Sequence, residues 1–296
     1  MEMLDSVRSR QSEDLYWLAL TYRYTPVNIA PVLKLYEELG SLKYVWDPSV
    51  DLKRYGFDRQ LSAEIARRGK EIRPQDLEGM KKHVDERGIK LIKYCDPEFP
   101  AQLRTLVSES EGAPIALYRQ GTLKILDRCV SIVGTRVLSH YGHSAARHLA
   151  KLLASRGYII VSGLARGTDT EAHCGALEAP RGRTVAVTSW MEPVYPSENV
   201  ELAKDIMKRG CVVSEFVQDL AFGRMARSAF VRRNRITSAL SLCVIAVESD
   251  MEGGTVHQVK LAIAQGRQVF VLQPQSGNQR ARRGYDLFVK LGETPL

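Results

Sequence analysis

The sequence predicts an α/β protein that has a doubly wound, mainly parallel sheet and a small helical N-terminal domain. Between residues 130 and 272, six short apolar runs alternate with helical segments, and several runs lack the polar alternation of a half-exposed strand. Before residue 89, apolar residues instead recur every three to four positions, which is typical of amphipathic helices. Strands that are joined by helical crossovers and covered on both faces form a parallel sheet.

The N-terminal domain is predicted to span residues 1–88 and to be helical. Ser12 precedes the first helix as its N-cap, and Gly40 ends the second helix. Further helices are predicted at 60–70 and 75–87. A helical unit of this size is either a docking module or a bundle that packs on the rest of the chain, and the sequence leaves both interpretations open.

The second domain is predicted to span residues 89–296, and it begins with a lead-in segment over 89–128. The lead-in contains predicted strands at 89–92 and 114–118. The six strands of the main sheet are predicted at 130–133, 158–161, 184–187, 211–213, 242–247 and 268–272. Helices are predicted between most of them, at 141–156, 168–179, 198–209 and 254–265. Residues 275–284 are predicted to form an exposed basic loop before a short closing segment.

The composition indicates a cytoplasmic protein with a polyanionic partner. The 296 residues carry a formal net charge of +8, which is typical of nucleic-acid-binding proteins but also occurs in basic enzymes. The five cysteines are scattered without a CxxC motif, which favours a reducing compartment over a disulfide framework or a zinc site. The polar N-terminus is unlike a signal peptide, and no apolar run approaches ~18 residues, so we expect no membrane association.

The first candidate ligand loop follows the strand predicted at 130–133. The apolar run stops at Gly134, Thr135 and Arg136 follow, and a helical pattern opens near Ser139. In parallel sheets, ligands bind outside the carboxyl ends of the strands, where helix N-termini and backbone N–H groups favour anions. Arg136 is therefore predicted to lie at the ligand edge of the sheet.

The second candidate loop, residues 162–173, follows the next predicted strand directly. Gly163 and Gly167 bracket a turn, and Thr168 or Asp169 can cap the helix that follows. Neither a GxGxxG fingerprint nor a P-loop motif is present, so the loop does not indicate a dinucleotide or a nucleoside triphosphate.

A third candidate loop is predicted at 224–235, which contains five arginines and no acidic residue, with Phe230 between the arginines. Arginine's planar fork suits phosphate, and an interleaved aromatic side chain can stack on a base. The alternative is that these arginines cover a solvated face and that Phe230 belongs to the core. Asn234 and Arg235 immediately precede a predicted central strand, which favours a position at the ligand edge.

The fourth candidate loop follows the strand predicted at 242–247 and opens a helix. Gly253, Gly254 and Thr255 leave the helix N-terminus available to an anion. Glu252 argues mildly against an anion here, because a carboxylate beside a phosphate costs affinity unless it is turned away.

Catalytic and metal-binding constellations are weak, so we expect no enzymatic activity, no cofactor and no metal. His173 and Asp169 share a helix face, but spacing ties no Ser or Cys nucleophile to them. Three further histidines lack carboxylates at metal-ligand spacing, namely His140, His143 and His148.

Seven motifs occur in a characteristic order over residues 95–296. They are SIVGTRVLSHYG, VSGLARGTDTEAHCGAL, VYPSENVELAKDI, VVSEF, FVRRNRITSALS, EGGT and AIAQGRQVFVLQP. In this order they resemble the DNA-processing protein A (Smf) family, whose members contain a Rossmann-like domain. The helical N-terminus and the stretches DPEFPAQL and APIALY are similar to that family's sterile-alpha-motif-like domain and to the segment leading into its sheet.

The resemblance implies a homodimer that binds single-stranded DNA in a basic pocket at the sheet edge. It also implies that the DNA is protected and handed to the RecA recombinase past single-strand-binding protein, in transformation or recombination. Carried over motif by motif and joined with the loops above, the predicted DNA-binding residues are Gly134, Thr135, Arg136, Ser139, Ser162, Gly163, Arg166, Gly167, Arg183, Arg232, Arg233, Asn234, Arg235, Gly253, Gly254 and Thr255.

The sequence also departs from the family at several positions. Residues 188–192, TSWME, stand where members usually have a glycine-rich turn, and Val231 stands where proline is usual. His257 and Gln258 replace small residues of the helix after EGGT. We expect no winged-helix domain after residue 296, although many members carry one.

Two other functions stay open at this point. Related Rossmann-like folds bind small nucleotides, so the chain could be a nucleotide sensor or a nucleotide-processing enzyme, including one that acts in phage defence. The PGGxGTxxE motif of the related hydrolases is reduced here to residues 253–255, which argues against hydrolysis. The N-terminal helices could also serve a protein-interaction adaptor, a role that does not exclude DNA binding.

Overall fold

A computed structural model describes residues 13–21, 29–108, 112–123, 127–217, 224–292 and 294–296. The N-terminal part is helical, as predicted. Its helices are α1 (13–21), α2 (Ile29–Leu39), α3 (Arg59–Glu71) and α4 (Pro74–Glu86). Gly40 follows α2 with a φ of +72°, a left-handed conformation that favours glycine. The N-cap predicted at Ser12 lies outside the described residues.

The sheet contains nine strands among the described residues. They are β1 (Lys90–Lys93), β2 (Ala116–Gly121), β3 (Cys129–Val133), β4 (Ile159–Ser162), β5 (Arg183–Val187), β6 (Cys211–Ser214), β7 (Cys243–Ala246), β8 (Gln268–Val271) and β9 (Thr294–Pro295). Their order across the sheet is β1-β2-β6-β5-β4-β3-β7-β8-β9. All neighbouring strands from β6 to β9 pair in parallel, and β1 and β2 add an antiparallel edge. The predicted α/β, mainly parallel fold is confirmed.

The remaining helices follow the strands and cover both faces of the sheet. They are α5 (Ala101–Arg104), α6 (His140–Ser155), α7 (Thr168–Glu178), α8 (Val200–Arg209), α9 (Arg224–Ala239), α10 (Gly254–Ala264) and α11 (Gln279–Lys290). No helix in the described part of the chain is both long enough and apolar enough to cross a membrane.

Two segments that the sequence predicts as loops are helical instead. The arginine-rich run 224–235 belongs to α9, whose second half is buried on nearly every side and includes the buried Arg232 and Arg235. A helix that buries charged residues has no apolar stripe, so hydrophobic periodicity does not reveal it. The predicted basic loop 275–284 contains the start of α11, where the Asn278 side chain accepts a hydrogen bond from the backbone N–H of Ala281 at 3.1 Å.

The direction of chain progression across the sheet reverses between β3 and β7. From β3 the chain proceeds through β4, β5 and β6 to one side, and from β7 it proceeds through β8 and β9 to the other. The loops after β3 and β7 therefore diverge at the carboxyl ends of two adjacent strands. In doubly wound sheets this reversal opens the crevice in which ligands bind.

The N-terminal helices share one hydrophobic core with the sheet. A single cluster of buried side chains includes Trp17 of α1, Val185 of β5 and Ile236 of α9. The hydroxyls of Thr21 and Tyr118 are 2.5 Å apart and form a buried hydrogen bond between α1 and β2. The helices thus pack directly on the sheet, and the domain boundary at residue 88 stays a prediction of the sequence.

Candidate nucleic-acid interface

A cleft of about 330 Å³ lies at the point where the strand order reverses. The loops after β3 and β7, one side of α9 and the start of α10 line it. Eight of the predicted site residues face this cleft, namely Gly134, Thr135, Arg136, Arg233, Asn234, Gly253, Gly254 and Thr255. The structure therefore brings together residues from all four candidate loops. The loop after β4 contributes Ala165 and Asp169 to the lining, whereas its predicted residues Ser162, Gly163, Arg166 and Gly167 are not among the lining residues.

The loops after β3 and β4 are held together by backbone contacts. The backbone N–H of Thr168 donates to the carbonyl of Thr135 at 3.1 Å, and a Cβ at Gly167 would lie only 2.6 Å from that carbonyl oxygen. A Cβ at Gly134 would lie 2.4 Å from the Thr168 hydroxyl. Because only glycine fits at these two positions, the loops can meet and hold Arg136 at the rim of the cleft.

Arg136 is exposed at that rim and has no acidic partner among the described residues. Its guanidinium carbon lies 5.6 Å from the centroid of the Phe230 ring, which is a cation–π distance. The aromatic ring orients the side chain without neutralising its charge. Arg136 is therefore available to bind an anion.

Arg233 is held more deeply, with only 12% of its side chain exposed. Its Nη1 donates to the Val187 carbonyl at 3.1 Å, and its Nη2 lies 3.5 Å from Oδ2 of Asp169. The guanidinium lies over Gly163, where an added Cβ would come within 1.6 Å of Nη1. Burial lowers the pKa of Arg233, and the Asp169 carboxylate opposes that shift.

The N-terminus of α10 opens into the same cleft. Gly253, with a φ of +119°, has no side chain to cap the helix, and the first turn contains no acidic residue. A Cβ at Gly253 or Gly254 would meet no atom within 4 Å, so the approach to the first N–H groups is open. Gln258 donates to the Asn234 carbonyl at 2.9 Å and thereby ties α10 to α9. The helix end is a suitable site for an anion.

Among the described residues, the formal charges that line the cleft balance. The arginines among them are Arg136, Arg233 and Arg280, and the carboxylates are Asp169, Asp250 and Glu252. Arg280 pairs with Asp250 at 3.0 Å, just as Arg233 pairs with Asp169. Arg136 is thus the lining cation that has no ion-pair partner within the described part of the chain.

Two predicted arginines of α9 point away from the cleft. Arg235 has no exposed surface, and its two terminal nitrogens contact the Glu215 carboxylate at 2.7 and 2.6 Å. Its Nε donates to the Gly112 carbonyl at 2.8 Å, and the Arg232 Nε lies 3.3 Å from Glu215. These two arginines anchor α9 to the segment after β6. The structure gives them a structural position, not a place among the cleft residues.

Two predicted serines are also engaged in structural hydrogen bonds. The Ser139 hydroxyl accepts from the backbone N–H of Gly142 at 3.0 Å, which caps α6, and donates to Glu248 at 2.6 Å. The Ser162 hydroxyl is buried and donates to the Ile132 carbonyl at 2.7 Å. Both serines fix the ends of strands and helices beside the cleft and do not line it.

Two further predicted arginines lie outside the cleft. Arg166 is exposed and forms an ion pair with Glu198. Arg183 begins β5 and is exposed at the amino-terminal edge of the sheet, opposite the edge where the cleft opens. Because Arg183 is at the start of its strand, it lies at the edge of the sheet opposite the edge formed by the carboxyl ends of the strands.

Sequence reasoning missed Arg280 as a cleft residue, although the basic run 275–284 was the available signal. His173, the histidine that shares a helix face with Asp169, is packed inside the protein. It is fully buried, its Nδ1 lies 2.7 Å from the Thr184 hydroxyl, and burial and the nearby charge of Arg233 lower its pKa to about 3. The imidazole is neutral at physiological pH.

The order of the motifs suggested a protein family, and a comparison with family models identifies it. The model of the DNA recombination-mediator protein A family matches residues 90–293. The chain belongs to this family. The match includes every strand from β1 to β8 and every loop that lines the cleft.

Several members of the family are similar to this chain. DNA processing protein DprA of Bacillus subtilis is 33% identical over 190 residues, 63% of this chain and 61% of that protein. Protein Smf of Escherichia coli is 38% identical over 191 residues, 62% of this chain and 48% of its own length. The alignments thus span between about half and two thirds of these family members.

Two crystal structures of family members resemble the fold. DNA processing protein A from Streptococcus pneumoniae superposes with a TM-score of 0.75 at 25% identity, covering 95% of this chain and 94% of the other. DNA processing protein A from Helicobacter pylori, reported for its single-stranded DNA binding mode, gives a TM-score of 0.60 at 28% identity, covering 70% and 90% of the two chains. The first likeness extends over the N-terminal helices as well as the sheet.

The packing of the Arg233 guanidinium on Gly163 in this chain can be tested by substitution. Gly163→Ala should displace the Arg233 guanidinium, weaken anion binding several-fold and destabilise the fold by roughly 1–3 kcal/mol, the usual range for overpacking. Gly79→Ala in α4 is the matched control, because a Cβ there would meet no atom within 4 Å. The control should keep at least the wild-type stability, measured by urea denaturation, and the wild-type affinity for an oligonucleotide. Unchanged affinity in Gly163→Ala would show that Arg233 does not act at the cleft.

Proposed function

We propose that this chain binds single-stranded DNA and catalyses no reaction. The observation that carries the proposal is that an exposed Arg136, which has no ion-pair partner among the described residues, and the N-terminus of α10 line one cleft at the carboxyl ends of β3 and β7. Arginine and backbone N–H groups bind phosphate without reading a base. Binding of this kind has little sequence preference and weakens steeply with salt.

Family membership supports this proposal. The H. pylori family member was described with its single-stranded DNA binding mode, and the region in common with this chain includes the sheet that forms the cleft. From the same membership we further propose a cytoplasmic homodimer. We also propose that it hands the DNA to the RecA recombinase in the presence of single-strand-binding protein. Co-precipitation of RecA with the DNA-loaded protein is the direct test of that partnership.

The DNA-binding proposal predicts a salt-dependent affinity for single strands. Fluorescence anisotropy with a labelled ~30-nucleotide strand should show log Kd rising linearly with log salt between about 50 and 200 mM. Unlabelled single strand should compete, whereas duplex and mononucleotides should compete poorly. Absence of binding at the lowest salt would overturn the proposal.

A small nucleotide is the second candidate ligand. The cleft volume of about 330 Å³ is within the range of small-molecule pockets, and the balanced charges of its described lining residues are compatible with a compact ligand. In the same titration, strong competition by mononucleotides together with weak strand binding would identify a nucleotide-binding protein. Release of free base from a nucleoside monophosphate would identify an enzyme.

A further inference from the structure

Three aromatic rings lie side by side next to the cleft. The centroids of Trp190 and Phe230 are 5.2 Å apart with the rings edge to face, and the Tyr195 centroid lies 5.5 Å from that of Phe230 and 6.3 Å from that of Trp190. Phe230 lines the cleft beneath Arg136. The aromatic group therefore continues from the cleft wall to the outer surface.

Only one of these rings is widely exposed. Trp190 is 7% exposed and its indole N–H donates to the Pro193 carbonyl at 2.9 Å, so it is a buried support. Tyr195 is 47% exposed. It lies outside the buried cluster formed by Trp190, Phe216 and Ala229, against which Phe230 packs. An exposed ring that is braced from behind presents a free face at little cost in side-chain entropy.

The segment that carries Tyr195 is fixed to the body of the protein. The backbone N–H of Met191 donates to the Phe216 carbonyl at 2.9 Å, and the N–H of Glu192 donates to the Val217 carbonyl at 2.8 Å. The Glu192 carboxylate lies 2.6 Å from the His83 ring of α4. The segment after β6 and an N-terminal helix thus hold the Tyr195 segment in place before any ligand binds.

A second cation is held on the segment that carries Tyr195. The Arg166 side chain is 58% exposed and forms an ion pair with Glu198, three residues after Tyr195. Exposed ion pairs contribute little to stability, so Arg166 can exchange Glu198 for a phosphate group. Arg136, Phe230 and Tyr195 therefore lie in contact one after another, and Arg166 is bound to the same segment as Tyr195.

We propose that Tyr195 is a base-stacking residue for a nucleotide that lies outside the cleft, with Arg166 binding the adjacent phosphate. The inference rests on the proposed binding of single-stranded DNA and extends it by a second subsite. Every base has a π-face, so this subsite accepts any base and adds affinity without sequence preference. A mononucleotide in the cleft does not reach it.

Tyr195→Ala should weaken binding of a ~30-nucleotide strand about tenfold, the scale of one lost stacking contact, and leave mononucleotide binding unchanged. Tyr195→Phe keeps the ring and should bind within about twofold of wild type. Tyr158→Ala is the matched control, because Tyr158 also has an arginine, Arg128, 4.7 Å from its ring centroid but precedes β4, at the opposite edge of the sheet. Its affinity should be unchanged.

Photo-crosslinking gives an independent readout in the wild-type protein. A strand containing 5-iodouracil should crosslink to the peptide that carries Tyr195. Wild-type binding with no crosslink there and no loss in Tyr195→Ala would overturn the stacking subsite while leaving the DNA-binding proposal intact. Failure of the wild type to bind single strands would overturn both. Equal losses in the Ala and Phe variants would show that the hydroxyl, not the ring, matters, and would also overturn the inference.

Discussion

Replacing Arg136 with alanine is expected to lower the affinity for single-stranded DNA by roughly tenfold or more, because the cleft loses its unpaired cation. The plot of log Kd against log salt should become shallower by about one unit, the contribution of one phosphate contact. Stability should be unchanged, since the side chain is exposed and, within the described residues, makes a cation–π contact with the Phe230 ring but no ion pair.

The matched control for this variant is Arg183→Ala. Both substitutions remove one exposed arginine and change the net charge equally, but Arg183 lies at the opposite edge of the sheet. Arg183→Ala should therefore bind with an affinity close to that of wild type. If the two variants lose affinity equally, net charge alone drives binding and the cleft is not the site. Anisotropy titrations at three salt concentrations separate these outcomes.

Replacing Arg235 with alanine is expected to be severely destabilising. The substitution leaves the Glu215 carboxylate buried, with Arg232 at 3.3 Å as its remaining ion-pair partner, and opens a cavity beside α9. Removing one member of a buried ion pair costs about 3–5 kcal/mol. Urea denaturation should show this loss, whereas Arg136→Ala should retain the wild-type midpoint. A wild-type midpoint in Arg235→Ala would contradict the buried pairing.

The same ion pair should make stability depend on acid. Burial alone would raise the pKa of Glu215, but Arg235 and Arg232 outweigh it and lower the pKa to about 2 from its ordinary value of 4.5. A depressed pKa stabilises the fold above the unfolded value, and this stabilisation is lost as the pH falls from about 4.5 toward about 2. Glu215→Gln should be less stable at pH 7 and should lose less further stability across that interval than wild type.

These expectations divide one arginine-rich segment into two roles. Arg233 faces the cleft and contacts Asp169, whereas Arg235, two residues further along the same helix, is enclosed with Glu215. Two residues along an α-helix turn the side chain by more than half a turn, so neighbouring arginines face opposite directions. Within this one segment, Arg233 therefore lies at the cleft and Arg235 is part of a buried ion pair that supports the fold.

The fold class and the edge of the sheet that holds the site were predictable from the sequence. Uninterrupted apolar runs such as Cys129–Val133 stay apolar because both faces of the strand are covered, and the glycines that end them permit tight loops. Parallel connectivity then places the loops after β3 and β7 at one edge. The family could be predicted from the order of the motifs, and some motif positions such as Gly167 are places where backbone crowding excludes a side chain.

Which charged side chains remain free could be decided only by the tertiary structure. Glu215 lies 20 residues before Arg235, and Asp250 lies 30 residues before Arg280, so local pattern gives no sign of either pair. Helix α9 escaped detection because burial of its arginines removes the apolar stripe that marks a helix. The sequence by itself determined the sheet and the edge at which ligands bind, because short apolar runs that alternate with helical segments are local patterns that can be read along the chain. Long-range ion pairing, which depends on the packed fold, engages Arg233 and Arg280 and leaves Arg136 as the cleft cation without a partner in the part of the chain that the structure describes.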